Sequence, residues 1–226
     1  MPYRNARAAR RPPVRADSLE PVQQPTPPAL ATQVDYYCCQ LIKHPAGLSA
    51  FHSFAEYLHA GLLEGDPAVR HLVPQPFRLR VNGRAYIPDY YAARTDGPIE
   101  VGELKPRGEF DPALHEPLTA FFAQQGWTFK VVANEALLAR QREAENWLEI
   151  VRALVIGHDI DTTAAETDVL ARLAHHETLR FGELLERGQR EQTYPEELAA
   201  LRLLHRGRLH ADLASAPFGL DTRLRA

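Results

Sequence analysis

The pair Asn82-Gly83 constrains this chain more than any other two residues. It lies between Phe77-Arg-Leu-Arg-Val81, in which apolar and basic residues alternate, and a second run from Arg84 to Ala92. Alternation with a period of two predicts a half-exposed strand. Asn-Gly is the strongest short hairpin signal, because both residues accept the positive φ of a type I′ turn. Thr95-Asp96-Gly97-Pro98 predicts the next turn and Ile99 to Lys105 the next strand. Asp111 as N-cap, Pro112 at the first helical position and Gly126 just past the end predict a helix over 111–125. Trp127 to Val132 reads as a further strand. Upstream, Phe51, Phe54, Ala55, Leu58 and Leu62 recur at helical spacing and predict a helix over 49–63, ended by Asp66-Pro67. Helix, meandering strands, helix and strand make an α/β domain, placed at residues 36–145.

The flanks differ in kind. Residues 1–35 carry Arg4, Arg7, Arg10, Arg11 and Arg15 and are rich in proline, with little to bury. A basic arm without order of its own is expected there, and contact with DNA is its functional reading. Leu137, Leu138, Trp147, Leu148, Val151 and Leu154 mark a long helical stretch over 136–156. After Gly157, helical pieces near 164–176, 180–187 and 195–205 precede a hairpin-like end. They predict a small helical domain over 146–226; a winged helix and a plain three-helix module both fit. Leu198, Leu201, Leu203, Leu204, Leu209 and Leu213 would form its core. Arg202, His205, Arg206, Arg208, His210, Arg223 and Arg225 would lie on the rim, facing phosphates or a protein partner. Ten basic against thirteen acidic residues in 146–226 argue against strong DNA binding by this part alone.

Several function classes drop out. With a net charge of −3, the 226-residue chain is not a polycation. No apolar run approaches the ~18 residues of a membrane span. The only cysteines, Cys38 and Cys39, are adjacent, which excludes a disulfide framework and a cysteine-based zinc site and points to a reducing cytoplasm. The ten histidines lack the His-x-x-x-His spacing of a helical zinc site and read as surface or cap residues. No Gly-x-x-x-x-Gly-Lys loop is present, and Ser53 has no nucleophile elbow around it.

The stretch that carries chemistry is Pro88-Asp89, thirteen residues, then Glu103-Leu-Lys105. Glu103 and Lys105, two apart in a strand, share one face, with Asp89 on the neighbouring strand. Two carboxylates and the Leu104 backbone carbonyl offer oxygen ligands only, as Mg²⁺ or Mn²⁺ requires. Lys105 beside such a cation could orient or deprotonate a water, a layout for phosphodiester hydrolysis. Glu-x-Lys alone would equally be a solvated strand face. Glu100, on the opposite strand face from Glu103, is expected in solvent.

The surrounding pattern is more specific. Ser53-Phe-Ala-Glu56, Asp66-Pro67, Gln75-Pro76-Phe77, Pro88-Asp89 and Glu103-Leu-Lys-Pro106 follow one another, with Trp127 to Val132 and Ala-Asn-Glu135 behind them. From about Ser49 to Glu135 the chain resembles the TnsA endonuclease subunit of heteromeric transposases, a branch of the PD-(D/E)xK nucleases. The resemblance implies a restriction-endonuclease-like core, a mixed central sheet flanked by helices, with a small helical C-terminal domain after it. It implies catalytic roles for Glu56, Asp89, Glu103 and Lys105, with Asp89, Glu103, Glu56 and the Leu104 carbonyl around Mg²⁺ or Mn²⁺. Gln75 would line the site or satisfy backbone at the start of a strand. The implied function is cutting the 5′ ends of a mobile element in double-stranded DNA beside an integrase-type transposase, with a targeting ATPase as a further partner. A stand-alone restriction- or repair-like nuclease is the alternative within the class. A non-catalytic DNA- or protein-binding adaptor is the alternative outside it.

Overall fold

The computed structural model describes residues 13–26, 35–186 and 188–226. In chain order the elements are β1 (Val14–Ala16), β2 (Tyr37–Gln40), β3 (Leu48–Phe51), α1 (Phe54–Gly65), β4 (Val69–Pro74), β5 (Leu79–Val81), β6 (Arg84–Tyr86), β7 (Tyr90–Arg94), β8 (Glu100–Lys105), α2 (Pro112–Gln124), β9 (Thr128–Ala133), α3 (Asn134–Leu138), α4 (Gln141–Ile156), α5 (Thr163–His175), β10 (Leu179–Arg180), α6 (Arg190–His205) and β11 (Arg223–Leu224). Single 3-10 turns lie at Pro106–Gly108 and Phe181–Leu184.

The centre is a mixed sheet in the order β4-β7-β8-β9, antiparallel except for the parallel β8–β9 pair. Its two faces separate along the period of a strand. Tyr90, Ala92 and Leu104 pack with Leu58 of α1, whereas Tyr91 and Val101 pack with Leu118 and Phe122 of α2. The α/β core is therefore a sheet between helices, as the sequence predicts. The Asn82-Gly83 hairpin forms with φ of 50° and 84°, and Asp111 caps α2 by accepting from the Ala113 N–H.

Three expectations are corrected here, and one strand had no reading in the sequence. The run from Arg84 to Ala92 is two strands, not one: β6 pairs with β5, while β7 belongs to the central sheet. Pro88, which has no N–H to give a ladder, lies at the crossing. The helix expected from Ser49 begins at Phe54, and Leu48–Phe51 is strand β3, paired with β2. Ser53 sets the start, its Oγ accepting from the Glu56 N–H at 3.2 Å. Strand β4 has no alternating pattern, because a register shift between Val69 and His71 breaks the period and Leu72, Val73 and Pro74 are all buried. Part of the N-terminal arm is ordered: Val14 is buried in the core, and β1 pairs with β5. Arg4, Arg7, Arg10 and Arg11 lie outside the described residues.

The boundary drawn at 145/146 falls inside α4. Ala144 and Val151 of that helix join the core under α1, while Trp147, Ile150 and Leu154 join the C-terminal core. The C-terminal part consists of α5, α6 and the short β10–β11 ribbon, and its third expected helix is only a 3-10 turn. Its leucines are buried as anticipated. Two of its basic residues are internal ties rather than rim charges. Arg202 donates to the carbonyls of Gly157, His158 and Ile160, and buried His205 meets the buried Glu64 of α1 at 2.7 Å. His44 and His59 are buried as well, so these three histidines are not surface residues.

The end of α1 is held by a lysine. Lys43, itself buried, donates from Nζ to the carbonyls of Leu63, Glu64 and Asp66. These include acceptors that a helix terminus leaves without partners, and a cation there is favoured by the helix dipole. Burial pulls the Lys43 ammonium down to about 8, so it remains charged at neutral pH. Where α1 crosses α4, Gly65 lies against Trp147: a Cβ at residue 65 would come within 2.2 Å of the indole. Gly65→Ala should therefore destabilise the protein by about 1–3 kcal/mol in urea unfolding. Gly97→Ala, which points into open space, should stay within about 0.5 kcal/mol.

Candidate active site

Two neighbouring strands of unequal reach create the site. Strand β7 starts at Tyr90, opposite Gly102, but β8 runs on to Lys105 along β9. The last residues of β8 thus have no β7 partner on that edge. Asp89, just before β7, fills the gap: its N–H donates to the Gly102 carbonyl at 2.9 Å, and its Oδ2 accepts the Leu104 N–H at 2.7 Å. A strand residue points its N–H and C=O to the same edge, so the Leu104 carbonyl shares the Asp89 side.

Around this notch the predicted residues gather. Glu56, in the first turn of α1, lines a small cavity together with Asp89, Leu104, Tyr90 and His59. Glu103 is 5% exposed and engaged at both oxygens: Tyr86 Oη donates to Oε2 at 2.5 Å, and Lys105 Nζ meets Oε1 at 2.6 Å. Lys105 is about one-third exposed, which leaves its ammonium open to a ligand. Larger concavities lie elsewhere, including one of about 660 Å³ lined by Phe181, Glu186 and Leu220. That concavity holds no comparable convergence of acids with a lysine.

Glu56 has a structural duty as well. With Ser53 it forms a capping arrangement: Ser53 Oγ donates to Oε1 at 3.0 Å while accepting from the Glu56 N–H, and Oε2 accepts the His52 N–H at 3.1 Å. It is neither an exposed helix acid nor a free ligand. A third donor comes from Gln75, whose Nε2 reaches Oε2 at 2.7 Å. Gln75 thus lines the site, and its backbone is held at φ 41°, a strained conformation for a residue with a side chain.

A chain of amides fixes that contact. An ionised Glu56 can only accept, so the Gln75 amide then turns its nitrogen inward and its oxygen outward. The outward oxygen accepts from Gln23 Nε2 at 3.0 Å, and the same nitrogen donates to the Ala50 carbonyl at 2.7 Å. Backbone bonds from Val22 to Pro76 and from Gln24 to Gln75 fasten the segment in place. Gln23 had no signature in the sequence, because its partner is 52 residues away. Tyr86 was equally silent. Glu100, expected in solvent, is buried and ties Tyr90 Oη to Lys130 Nζ. The cause is its position: it faces the α1 side of the sheet, opposite His59 and Tyr90, which stack edge to face.

The charges are unbalanced. Burial, then the charges of Glu103 and Glu56, push the Asp89 carboxyl well above its ordinary range, against the Leu104 N–H and Lys105. Burial also raises Glu56, against its donors. For Lys105, burial disfavours the charge, but the hydrogen bond to Glu103 and the charges of Glu103, Asp89 and Glu56 outweigh it and hold the ammonium above its usual range. His59 is pulled down to about 4 by burial and is neutral at physiological pH.

No protein-family profile matches the chain, and no curated protein matches it in sequence. The site is therefore read from its own geometry. Among the described residues, no three His, Cys, Asp or Glu side chains form a ready-made metal centre; Glu56 and Glu103 turn their oxygens onto protein donors. The donor set nonetheless suits a hard cation in kind. It contains oxygen only, and Asp89 stands among like charges that a divalent cation would neutralise.

A carboxyl raised in the folded state binds its proton more tightly there than in the unfolded chain. Its contribution to stability is full below the unfolded value near 4 and is lost as pH rises through the folded value. Metal-free protein should accordingly lose stability as pH rises across the Asp89 titration, and Asp89→Asn should flatten that slope. Urea unfolding in chelator at several pH values measures both.

Proposed function

We propose that the protein is a metal-dependent DNA endonuclease hydrolysing phosphodiester bonds. The observation that carries this reading is the buried convergence of Glu56, Asp89 and Glu103 with a protonated Lys105 where β7 stops short of β8. On this reading the core is restriction-endonuclease-like and the C-terminal part is winged-helix-like. Asp89, Glu103 and the Leu104 carbonyl would hold Mg²⁺ or Mn²⁺, with Glu56 behind them. Such a cation supplies a polarised phosphate and a more acidic water.

The chain's own groups have distinct parts. Lys105, charged and partly exposed, clamps the scissile phosphate electrostatically. Glu56, fixed by Ser53, His52 and Gln75, orients the attacking water. Tyr86 holds Glu103 in the rotamer that meets Lys105. The expected products are a 3′-hydroxyl and a 5′-phosphate. By the resemblance in its sequence, the protein would act on the 5′ ends of a mobile element in the cytoplasm. An integrase-type transposase would handle the 3′ ends, with a targeting ATPase as a further partner docking on the C-terminal part. No helix among the described residues is long and apolar enough to cross a membrane.

One observation favours a second reading, a non-catalytic adaptor: both oxygens of Glu56 and of Glu103 are already engaged by protein donors. A titration with Mg²⁺ and Mn²⁺, followed by strand cleavage of duplex DNA with the partner transposase present, separates the two. The nuclease should bind a divalent cation saturably. Asp89→Ala and Lys105→Ala should then lower cleavage on the order of a thousandfold while the far-ultraviolet circular dichroism is kept. Absence of divalent binding, or full cleavage by Asp89→Ala, would establish the adaptor or a different site.

A further inference from the structure

The small sheet β1-β5-β6 carries an unusual charge arrangement. Its inner face buries Val14, Leu79 and Val81 in the core beside α2. On the outer face Arg15 stands directly opposite Arg80 in the antiparallel register. Arg78, two residues before Arg80, is exposed on the same side by the strand period. Like charges directly across a strand pair are destabilising. Among the described residues, none of these three arginines meets a carboxylate within 4.0 Å. Asp17, one residue beyond β1 on the Arg78 side, is the acid nearest in register. Arg84, opposite Val81 in register, belongs to the other face of the sheet and does not extend this row.

We propose that this arginine face is the docking surface for the phosphate backbone of duplex DNA. The proposal rests on the nuclease reading only for the choice of duplex DNA among polyanions. Three observations select the occupant. The face is cationic, with Arg80 on β5 and Arg78 just before that strand about 7 Å apart, which suits neighbouring phosphates. None of the exposed large apolar side chains among the described residues lies on β1, β5 or β6, so the face lacks the apolar wedge of a membrane-surface binder. It also presents no exposed aromatic ring, the platform on which single strands stack. The same small sheet ends at Tyr86, whose hydroxyl holds Glu103. Tyr86 stands on the inner face, opposite Leu79, so the sheet carries the arginines on one side and the tie to the carboxylates on the other. Segment 13–26 supplies both Arg15 to the face and Gln23 to the amide chain behind Glu56.

The test is the affinity of the full-length protein for a fluorescent duplex in chelator, without cleavage, measured across salt concentrations. Arg15→Gln/Arg80→Gln should reduce the slope of log affinity against log salt by about two, one for each phosphate no longer neutralised. Its melting temperature at low salt should be unchanged or higher, since a repulsive pair has been relieved. Arg142→Gln/Arg152→Gln, which removes equal charge from α4, should leave the slope in place. An unchanged slope in the first variant overturns the proposal. So does tighter binding to a single strand of the same length, or to phosphatidylserine vesicles, than to the duplex. If the slope falls as expected but no divalent cation restores cleavage, the docking surface stands and the nuclease reading fails.

Discussion

The rest of the site depends on one hydrogen bond, from the Leu104 N–H to the Asp89 carboxylate. Where β7 begins late, β8 would otherwise present an unpaired backbone edge inside the protein. Leaving such groups without partners costs about as much as forgoing a hydrogen bond. Asp89 supplies the missing acceptor from a side chain rather than from a strand. A carboxylate is thereby placed at the end of the sheet, close to Glu103 and Glu56, whose charges it feels. A backbone carbonyl in its place would complete the ladder equally well and would leave no acid there. The local repair of the sheet and the positioning of the site are the same event.

That placement is electrostatically unfavourable, and the surroundings respond to it group by group. Tyr86 and Lys105 occupy Glu103, while Ser53, His52 and Gln75 occupy Glu56. Asp89 has only the Leu104 N–H and the more distant Lys105 to offset burial and two acids. It is the least compensated of the three, and so the group most sensitive to an added positive charge. Structural ion pairs alone also perturb carboxylates. What distinguishes this cluster is that its one cation, Lys105, remains partly open to solvent.

Legibility in the sequence followed the range of the forces involved. Local signals were readable: the Asn82-Gly83 turn, the Asp111-Pro112 cap, and the shared face of Glu103 and Lys105 all act within a few residues. The Ser53-x-x-Glu56 cap went unread, because Phe51 and Phe54 extended the apparent helix past it. What stayed hidden depends on distant pairing. Gln23 and Gln75 are ordinary amides until the fold brings them together, and Glu100 reads as solvent-facing until His59 and Tyr90 cover it. The 145/146 boundary falls within α4 for a related reason. An amphipathic helix that serves two cores shows one continuous apolar pattern, so periodicity cannot say where one core ends.

The N-terminal segment is more than a tail. Its composition lacks the apolar content to fold alone, yet Val14 and the backbone of residues 22–24 find partners prepared by the core. Order there is borrowed from β5 and from Pro76. A segment held by so few bonds opens at lower free energy than a core strand. Opening it would remove the amide that orients Gln75 while leaving Ser53 and His52 in place. Glu56 would then keep its cap but lose its inward donor. This lightly held segment therefore acts on the orientation of one side chain in the site, without touching the acids directly.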